Sequence, residues 1–372
     1  MPGIEIPRHL LPADGRFGCG PSKVRPEAVG SLAAQASSLL GTSHRQATVR
    51  DLVGRLQDGL RQLFSLPEEY EVVLGNGGTT AFWDAATFSL IESRSQHLSF
   101  GEFSSKFAAA AKAAPHLAEP EIIVSEPGTH PVARADRGID AYALTHNETS
   151  TGVATEIARP RDDDGQVADG LVLVDATSAA GGLRVDPAEF DAYYFAPQKC
   201  FGSDGGLFAA LCSPAAVERI ERTERWAPAF LDLKIALSNS RQRQTCNTPA
   251  LATIFLFAEQ VEWFNSGGGL EFAAGRADAS AAVIYAWAEA SSYARPFVAV
   301  PSERSHVVAT IDFDDSLEAA RVAKVLRENG IVDTEPYRKL GRNQLRIALF
   351  PTIEAADVEA LTSCIDYVVE QL

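Results

Sequence analysis

Short, nearly continuous apolar runs alternate with longer amphipathic segments along most of the sequence. The runs have the length and composition of buried strands and lie at residues 70–74, 121–124, 141–145, 171–174, 192–196 and 207–211. Helical patterns lie between and around them, at residues 48–64, 79–91, 103–114 and 249–264. Strands that are apolar on both faces are typical of a sheet covered by helices on both sides. The alternation therefore predicts an α/β protein with a mostly parallel sheet.

The C-terminal part of the chain changes this pattern. Its candidate elements are a half-buried strand, an amphipathic helix that ends at a glycine, two further strands and a last helix: residues 306–313, 316–329, 331–333, 344–350 and 355–372. This order predicts a small α+β domain, preceded by a helix at 272–290. The glycine-rich segment 265–269 marks the boundary. We predict a large domain over residues 25–265, a small domain over residues 266–372, and an N-terminal segment, residues 1–24, that joins the small domain.

Charge and cysteine usage exclude several classes of protein. The chain has 33 Lys and Arg against 49 Asp and Glu, a net charge of −16, so it lacks the basic surface that nucleic acid requires. The 5 cysteines are scattered, which argues against disulfides or a metal cluster and indicates a reducing compartment. The N-terminus lacks the apolar core of a secretory signal, and the apolar stretch 251–264 is too short to cross a bilayer. We expect a cytoplasmic protein that binds neither nucleic acid nor membrane.

One lysine stands apart from the few others in the chain. Lys199 follows the apolar strand 192–196 and precedes the glycine-rich loop 202–206. An amine at the end of a buried strand tends to lose solvent, which lowers its pKa and makes it nucleophilic. The alternative is a lysine that reaches the surface from the strand end, and this feature alone favours that alternative.

Two further features lie at strand ends. Asp175 closes the apolar strand 171–174, and ligands of open α/β sheets bind beyond such ends, where an acid can pair with a pyridinium nitrogen. An Asp that caps a turn is an equally good interpretation. Gly78 and Thr79 lie between a strand and a helix, where free N–H groups bind phosphate. Such glycine turns are common, and a nucleotide-binding regulatory protein would use one too.

Taken together, these features favour pyridoxal phosphate. This cofactor needs a Schiff-base lysine, an acid for its ring nitrogen, a nest for its phosphate and a ring to stack on. The candidates are Lys199, Asp175, Gly78 with Thr79, and Phe103. By itself, Phe103 is better interpreted as a core aromatic on an alanine-rich helix. Polar residues at other strand ends, including Asn147, Thr149 and Gln198, could add hydrogen bonds to the cofactor.

A series of short motifs, in fixed order from about residue 16 to the C-terminus, carries a family resemblance. They are Phe17-Gly18-Cys19-Gly20-Pro21-Ser22, Ser43-His44-Arg45, Gly77-Gly78, His146-Asn147-Glu148-Thr149, Asp175-Ala176-Thr177-Ser178, Ala196-Pro197-Gln198-Lys199, Asn247-Thr248-Pro249 and the segment 338–346. With these motifs the chain resembles the phosphoserine aminotransferases of the class V group. The resemblance implies the fold-type I architecture of pyridoxal-phosphate-dependent transferases, with the cofactor in the large domain.

The resemblance also implies roles for individual residues toward the cofactor. Lys199 would carry it, Asp175 would pair with the pyridinium nitrogen, and Phe103 would stack on the ring. Thr149 would bond the phenolate side. The cofactor phosphate would be held by Gly78, Thr79 and Gln198, and from the partner subunit of a homodimer by Asn247 and Thr248. The Thr248-Pro249 pair supports this last role, because proline is favoured at the first helical position and a helix N-terminus suits an anion.

The implied reaction is reversible amino transfer from L-glutamate to 3-phosphonooxypyruvate, giving O-phospho-L-serine and 2-oxoglutarate in serine biosynthesis. A second role on a phosphorylated hydroxythreonine, in pyridoxine synthesis, stays open, as do related activities such as alanine–glyoxylate or serine–pyruvate transamination. Arg346 would bind the α-carboxylate, and His44 and Arg45 the second anionic group. Many relatives have Arg where this chain has Thr79, and His where it has Tyr337. The basic residues that could compensate are Arg338, Lys339 and Arg342.

Overall fold

The computed structural model describes residues 4–372, so residues 1–3 of the predicted N-terminal segment lie outside it. Its helices are α1 (Pro26–Leu39), α2 (Ala47–Leu63), α3 (Thr79–Ser89), α4 (Glu102–Ala113), α5 (Pro214–Arg222), α6 (Leu233–Arg241), α7 (Leu251–Gly267), α8 (Leu270–Ala290), α9 (Ala319–Glu328) and α10 (Ala355–Gln371). Within residues 4–372, none of these helices combines the length and apolar character that crossing a membrane requires.

The strands form one large sheet, one small sheet and a short hairpin. They are β1 (Glu71–Asn76), β2 (Ser95–Ser99), β3 (Glu121–Val124), β4 (Ala141–Thr145), β5 (Asn147–Glu148), β6 (Val153–Ala154), β7 (Leu171–Asp175), β8 (Ala192–Phe195), β9 (Leu207–Cys212), β10 (Ala294–Pro296), β11 (Val308–Phe313) and β12 (Gln344–Ala348). The large sheet has 7 strands in the order β1-β9-β8-β7-β4-β2-β3. Strand β9 runs antiparallel to the other six strands, which all run in the same direction. The predicted α/β fold with a mostly parallel sheet is confirmed.

The large sheet is buried on both faces because successive strand residues face opposite ways. Val172 and Val174 of β7 pack into one apolar cluster, together with α2 and α7. Leu171 and Leu173 pack into a second cluster, on the side of α3, α4, α5 and α6. Every residue of β7 is buried, which explains why this strand reads as a continuous apolar run. This double cover leaves the strand ends as the place where polar side chains can gather.

The small sheet has the order β10-β11-β12 and is antiparallel. Its apolar cluster includes residues of α8, α9 and α10, and also Ile6 and Phe17 of the N-terminal segment. Two backbone hydrogen bonds anchor that segment: Val332 N–H donates to Gly15 C=O at 2.8 Å, and Ala348 N–H donates to Phe17 C=O at 3.0 Å. The predicted division of the chain at residues 24 and 265 stays a prediction, and this packing supports it.

Several predicted elements were wrong. Residues 331–333 are not a strand of the small sheet, since Val332 makes only an isolated bridge to Arg16. The backbone turns away at Asp333, whose φ of 65° interrupts any extended run. Pro249 is not the first helical residue, because α7 begins at Leu251 after an N-cap at Ala250. The sequence patterns missed strands β2, β5, β6 and β10 and helices α1, α5 and α6. The predicted C-terminal glycine of α9, Gly330, is confirmed by its φ of 87°.

Candidate active site

A cavity of about 460 Å³ lies where β4, β7 and β8 end. These strands are parallel, so their carboxyl ends share one edge of the sheet, the usual ligand-binding edge of such folds. The cavity brings together residues that the sequence predicted for cofactor or substrate binding: Thr79, Phe103, Thr149, Asp175, Gln198, Lys199 and Arg346. Strand order thus assembles side chains that are far apart in sequence.

Lys199 is held in the cavity by burial and by one hydrogen bond. Its side chain is 6% exposed, and its Nζ donates to Thr149 Oγ1 at 2.9 Å. Burial lowers the pKa of the Lys199 amine to about 8, because the charged form loses solvent. Gly20 lies against this side chain, and a Cβ there would come within 2.9 Å of Lys199 Cε. The interpretation of Lys199 as a surface lysine is therefore wrong.

Asp175 is the last residue of β7 and is 5% exposed. Its Oδ1 accepts hydrogen bonds from Thr177 N–H at 2.9 Å and from Thr177 Oγ1 at 2.6 Å. Its Oδ2 accepts a hydrogen bond from Trp83 Nε1 at 3.0 Å. Burial raises the pKa of Asp175, while these donors and the nearby Lys199 charge oppose that rise. The Thr177 contacts form the turn cap considered from sequence, and the same carboxylate also lines the cavity.

The start of α3 forms an anion nest. Gly78, a predicted phosphate-binding residue, is the N-cap residue and does not itself line the cavity, whereas Thr79 and Thr80 of the first turn do. Gly78 has no side chain that could accept the first-turn N–H groups, and a Cβ there would meet no atom within 4 Å. A helix N-terminus that opens onto a cavity in this way can bind an anion.

Two buried polar atoms at the cavity add to this set. Asn147 Oδ1 and Gln198 Oε1 have no hydrogen-bond partner among residues 4–372. Both atoms belong to residues that line the cavity, so a ligand bound there could supply the missing partners. An anion nest, a buried amine, a buried carboxylate and the Phe103 ring, 5.1 Å from Lys199 Nζ, are the groups that pyridoxal phosphate needs. The residues present fit this cofactor.

The ring of Phe103 is positioned by a buried acid that sequence reasoning did not single out. Glu148 is 0% exposed, and its Oε2 accepts hydrogen bonds from the N–H groups of Phe103 at 3.1 Å and Ser104 at 2.9 Å. The carboxylate thereby satisfies the first turn of α4 and also suits its positive end. It fixes Phe103 relative to Thr149, the next residue along the chain.

Arg346 enters the cavity from β12 of the small sheet. Its Nη1 donates to Thr149 C=O at 3.3 Å, and its guanidinium lies 5.2 Å from the Tyr337 ring centroid. Its Nε is buried and has no hydrogen-bond partner in the described part of the chain. A guanidinium with unused donors at a cavity wall is a binding site for a carboxylate.

Other predicted residues do not line this cavity. They are His44, Arg45, Asn247, Thr248 and Arg338. Thr248 Oγ1 lies 3.5 Å from His44 Nδ1, and the carbonyls of Asn247 and Thr248 accept hydrogen bonds from Asn76. These residues lie outside the cavity because their segments run over the exposed surface of the chain.

Sequence reasoning missed Trp83, Lys106 and Tyr337, which all line the cavity. Lys106 lies on the same helix as Phe103, with its Nζ 5.4 Å from the Phe103 ring centroid and 3.2 Å from Glu102 Oε1. A usable signal existed, since residues 103 and 106 are three apart and share one face of a helix. For Tyr337 the position depends on how the small sheet packs, which no local pattern predicts.

Comparison with known proteins gives the family. The sequence profile of the family Aminotransferase class-V matches residues 27–334. This chain is a class-V aminotransferase. As an aminotransferase of this class it depends on pyridoxal phosphate, the cofactor that the cavity fits.

This aminotransferase has relatives that match it over nearly the whole length of both chains. It is 61% identical over 372 residues to the phosphoserine aminotransferase of a Nocardioides species, covering 99% of each chain. It is 58% identical over 370 residues to the phosphoserine aminotransferase of Rhodococcus jostii, covering 99% of this chain and 98% of the relative.

Solved structures share its fold at low sequence identity. A phosphoserine aminotransferase from Cytophaga hutchinsonii superimposes with a TM-score of 0.86 at 22% identity, over 95% of this chain and 99% of that one. An aspartate aminotransferase from Thermus thermophilus reaches 0.79 at 23% identity, over 95% and 99%. The predicted fold is confirmed, and since aminotransferases with different names share it, the fold alone does not select a substrate.

Proposed function

We propose that this aminotransferase transfers the amino group of L-glutamate to 3-phosphonooxypyruvate, reversibly, to give O-phospho-L-serine and 2-oxoglutarate. The observation that carries the proposal is the 61% identity, over nearly the whole of both chains, to a phosphoserine aminotransferase. We place the reaction in serine biosynthesis in the cytoplasm. Action on a phosphorylated hydroxythreonine in pyridoxine synthesis is part of the same proposal, because both substrates pair a carboxylate with a phosphate.

Different residues of the cavity would hold different parts of the cofactor. The amine of Lys199 would hold its aldehyde carbon, Asp175 its ring nitrogen, and Phe103 one face of its ring. The anion nest at Gly78 and Thr79 would hold its phosphate together with Gln198, whose buried Oε1 lacks a partner in residues 4–372. Thr149, already bonded to Lys199 Nζ, lies where it can bond the phenolate oxygen.

The chemistry depends on whether the Lys199 amine is protonated or neutral. Bound pyridoxal phosphate supplies a ring that takes up the electrons left behind when a proton leaves the substrate Cα. Lys199 Nζ is the base that removes this proton, because burial lowers its pKa to about 8 and leaves part of the amine neutral near pH 7. Asp175 keeps a proton on the ring nitrogen, which makes the ring a better electron acceptor.

Arg346 and the cavity walls orient the substrate. The guanidinium presents parallel N–H donors that match the two oxygens of an α-carboxylate. Tyr337 stacks near it, with its ring also 6.0 Å from that of Phe103. Together with Cys19 and Gly20 these rings wall the cavity, which limits the water that reaches Lys199.

The loop at residues 338–342 offers three basic residues for the substrate phosphate. Arg342 is a poor candidate, because it forms an ion pair with buried Asp312 and stacks on the ring of Phe297, 4.4 Å away. Lys339 pairs with Glu102. Arg338 is exposed and has no ion-pair partner among residues 4–372, so it is the best candidate of this loop. We propose that it acts with His44 and Arg45 on the second anionic group.

We further propose a homodimer in which Asn247 and Thr248 reach the cofactor phosphate of the partner subunit. Both residues are exposed near Asn76, which precedes the glycines of the anion nest. Helix α7 begins at Leu251, so Thr248 and Pro249 lie before its N-terminus. The exposure of Asn247 and Thr248 and the family resemblance support the shared site.

A half-reaction screen tests the substrate. The cofactor-loaded enzyme is mixed with single amino acids, and the loss of the ~400 nm absorbance is followed. Phosphoserine and glutamate should convert it at least about 100-fold more efficiently than serine or alanine, since a lost charge-assisted contact leaves buried groups unpaired. Equal efficiency for alanine would contradict the proposal and favour an alanine–glyoxylate type of activity.

A further inference from the structure

Trp83 is a buried residue of the cavity to which neither the sequence motifs nor the proposed mechanism gives a role. It lies on α3, is 4% exposed, and lines the same cavity as Lys199. Its indole Nε1 donates to Asp175 Oδ2 at 3.0 Å, a distance typical of a good hydrogen bond. The contact joins the helix that starts at the anion nest to the strand end that carries the acid.

The two oxygens of Asp175 have different partners. Oδ1 accepts both the N–H and the hydroxyl of Thr177, whereas the indole of Trp83 is the donor to Oδ2. With a donor on each oxygen, the carboxylate cannot rotate about its Cβ–Cγ bond without losing a hydrogen bond. A carboxylate oxygen has two lone pairs, so Oδ2 keeps one acceptor site after it accepts the indole N–H.

The hydrogen bond from Trp83 also favours the charged form of Asp175. Burial raises the pKa of Asp175, which favours the neutral acid, while Thr177, Trp83 and the charge of Lys199 oppose that rise. The anion stabilises the positive charge of a protonated ring nitrogen, whereas the neutral acid can only accept its hydrogen bond. A donor that bonds the anion inside an apolar environment is worth more than the same donor in water.

We propose that Trp83 is a positioning residue, whose indole N–H keeps Asp175 ionised and oriented toward the ring nitrogen of pyridoxal phosphate. The inference rests on the role proposed above for Asp175 and is independent of which amino acid is the substrate. Helix α3 then acts on the cofactor in two ways. Its N-terminus would bind the phosphate, and Trp83, on the second turn, would act through Asp175 on the ring nitrogen.

The competing interpretation is that Trp83 only fills space. Its ring stacks on Phe107 with a centroid distance of 6.3 Å and an interplanar angle of 14°, and it belongs to the apolar cluster below the cavity. Trp83→Phe separates the two interpretations, because it keeps an aromatic ring and removes the N–H. Trp263→Phe is the matched control, since Trp263 packs on the other face of the sheet, against Arg25 and Arg276.

The experiment is a double-mutant cycle on cofactor binding. The dissociation constant of pyridoxal phosphate is measured by titrating apoprotein of the wild type, Trp83→Phe, Asp175→Asn and the double variant. Trp83→Phe should weaken binding about 10- to 100-fold, the usual effect of losing a hydrogen bond to a charged group. In the Asp175→Asn background the same change should have an effect of less than about threefold, and Trp263→Phe should have none in either background.

Other outcomes overturn the inference. Equal losses from Trp83→Phe in both backgrounds would mean that Trp83 acts by packing alone. An Asp175→Asn variant that binds the cofactor like the wild type would overturn the role of Asp175 and this inference with it. Neither result bears on phosphoserine as substrate, which the half-reaction screen tests separately.

A second measurement does not depend on Trp83→Phe folding. The chain has 4 tryptophans, so the indole N–H groups of the ¹⁵N-labelled wild type give few, assignable resonances. Cofactor binding should shift the Trp83 resonance more than the other three, and Asp175→Asn should move it upfield by removing the charged acceptor. A Trp83 resonance that responds to neither change would overturn the inference.

Discussion

Burial of one amine sets the pH range in which this cavity can take up its cofactor covalently. Lys199 would titrate near 10.5 in water, and in the cavity its pKa falls to about 8. At pH 7 the neutral, nucleophilic fraction of the amine is therefore on the order of a hundredfold larger than for an exposed lysine. Lys106 also lines the cavity, but its side chain is 48% exposed, whereas Lys199 is 6% exposed.

Borohydride reduction of the cofactor-loaded enzyme, followed by peptide mapping, should place pyridoxal phosphate on Lys199. Lys106 provides the internal comparison, because it lies in the same cavity and would be labelled if proximity to the cofactor were sufficient. Lys199→Ala should still bind the cofactor through the anion nest and Asp175, but should lose turnover. Label on Lys106 in the wild type would contradict the assignment.

The lowered pKa of Lys199 predicts how fast the cofactor attaches at different pH values. Attachment needs the neutral amine, so its rate should rise from pH 6.5 and level off just above pH 8. The measurement is a stopped-flow series on apoprotein, with free N-acetyl-lysine amide as the reference for an unburied amine. A rate that keeps rising to pH 10, as the reference does, would show that burial does not lower this pKa.

Replacing Arg346 should weaken every amino-acid substrate to a similar extent. Arg346→Ala removes the donors expected to bind the α-carboxylate, which phosphoserine, glutamate and alanine share, and should lower kcat/KM about 10- to 100-fold for each. Arg346→Lys should restore little of this, because an ammonium cannot form two parallel hydrogen bonds. Arg338→Ala is the matched control and should affect phosphoserine more than alanine; an equal effect of both variants on alanine would refute the assignment.

The sequence predicts those site residues that come at the ends of apolar strands. Asp175 and Lys199 follow apolar runs directly, so the local pattern places both at one sheet edge. Trp83 and Tyr337 carry no such signal, because each enters the cavity through packing of a helix or loop that is set by distant parts of the chain.

Among the secondary-structure elements, β2 shows why a buried strand can escape detection. Its sequence is Ser-Gln-His-Leu-Ser, yet all five residues are buried between β3 and β4. Polar side chains are accepted there because they have partners: Gln96 Nε2 donates to Glu121 Oε2 at 2.9 Å, and Ser95 Oγ lies 2.9 Å from His97 Nε2. A sequence pattern detects hydrophobic residues. It does not show these hydrogen bonds, which form only in the folded protein, so β2 was not predicted.

Strand β2 should also make the apoprotein sensitive to acid. Burial lowers the pKa of His97 to about 3, against 6.5 in the unfolded chain. Between those values the unfolded state binds a proton that the folded state does not, so the free energy of unfolding falls by about 1.4 kcal/mol per pH unit as pH drops. His146, with a pKa lowered to about 4, acts in the same direction.

Urea unfolding of the apoprotein at pH 7 and pH 5 measures this effect. In His97→Gln the loss of stability between the two pH values should be about 2 kcal/mol smaller than in the wild type. His9→Gln, a change at an exposed histidine, should leave the loss unchanged. A wild-type pH dependence retained in His97→Gln would mean that His97 titrates normally.

At the scale of the whole molecule, the sequence predicts the two-sheet architecture well because it depends on hydrophobic periodicity alone. The predicted elements occur in the right order apart from residues 331–333, and the elements that were not predicted are β2, β5, β6, β10, α1, α5 and α6. How the N-terminal segment pairs with Val332 and Ala348 could not be predicted, since hydrogen bonds between the two ends of a chain leave no local pattern.

Complementation between inactive variants should test the shared site of the proposed homodimer. One subunit carries Lys199→Ala and the other carries Asn247→Ala with Thr248→Ala. If Asn247 and Thr248 act on the partner's cofactor, the mixed dimer has one intact site and should regain close to half of the wild-type activity. If they act within their own subunit, no site is intact and the activity stays low; sedimentation of the wild type as an active monomer would also exclude the shared site.

The pairing of the first residues with the last third of the chain determines when the cavity can be completed during synthesis. Ile6 N–H donates to Asn329 Oδ1, a contact between residues 323 apart. Gly15 and Phe17 form their backbone hydrogen bonds only after Val332 and Ala348 have been synthesised. The large sheet is complete once Cys212 has left the ribosome. A nascent chain can therefore form its large sheet before β12 is made, and Arg346, which lines the cavity, is added only with that strand.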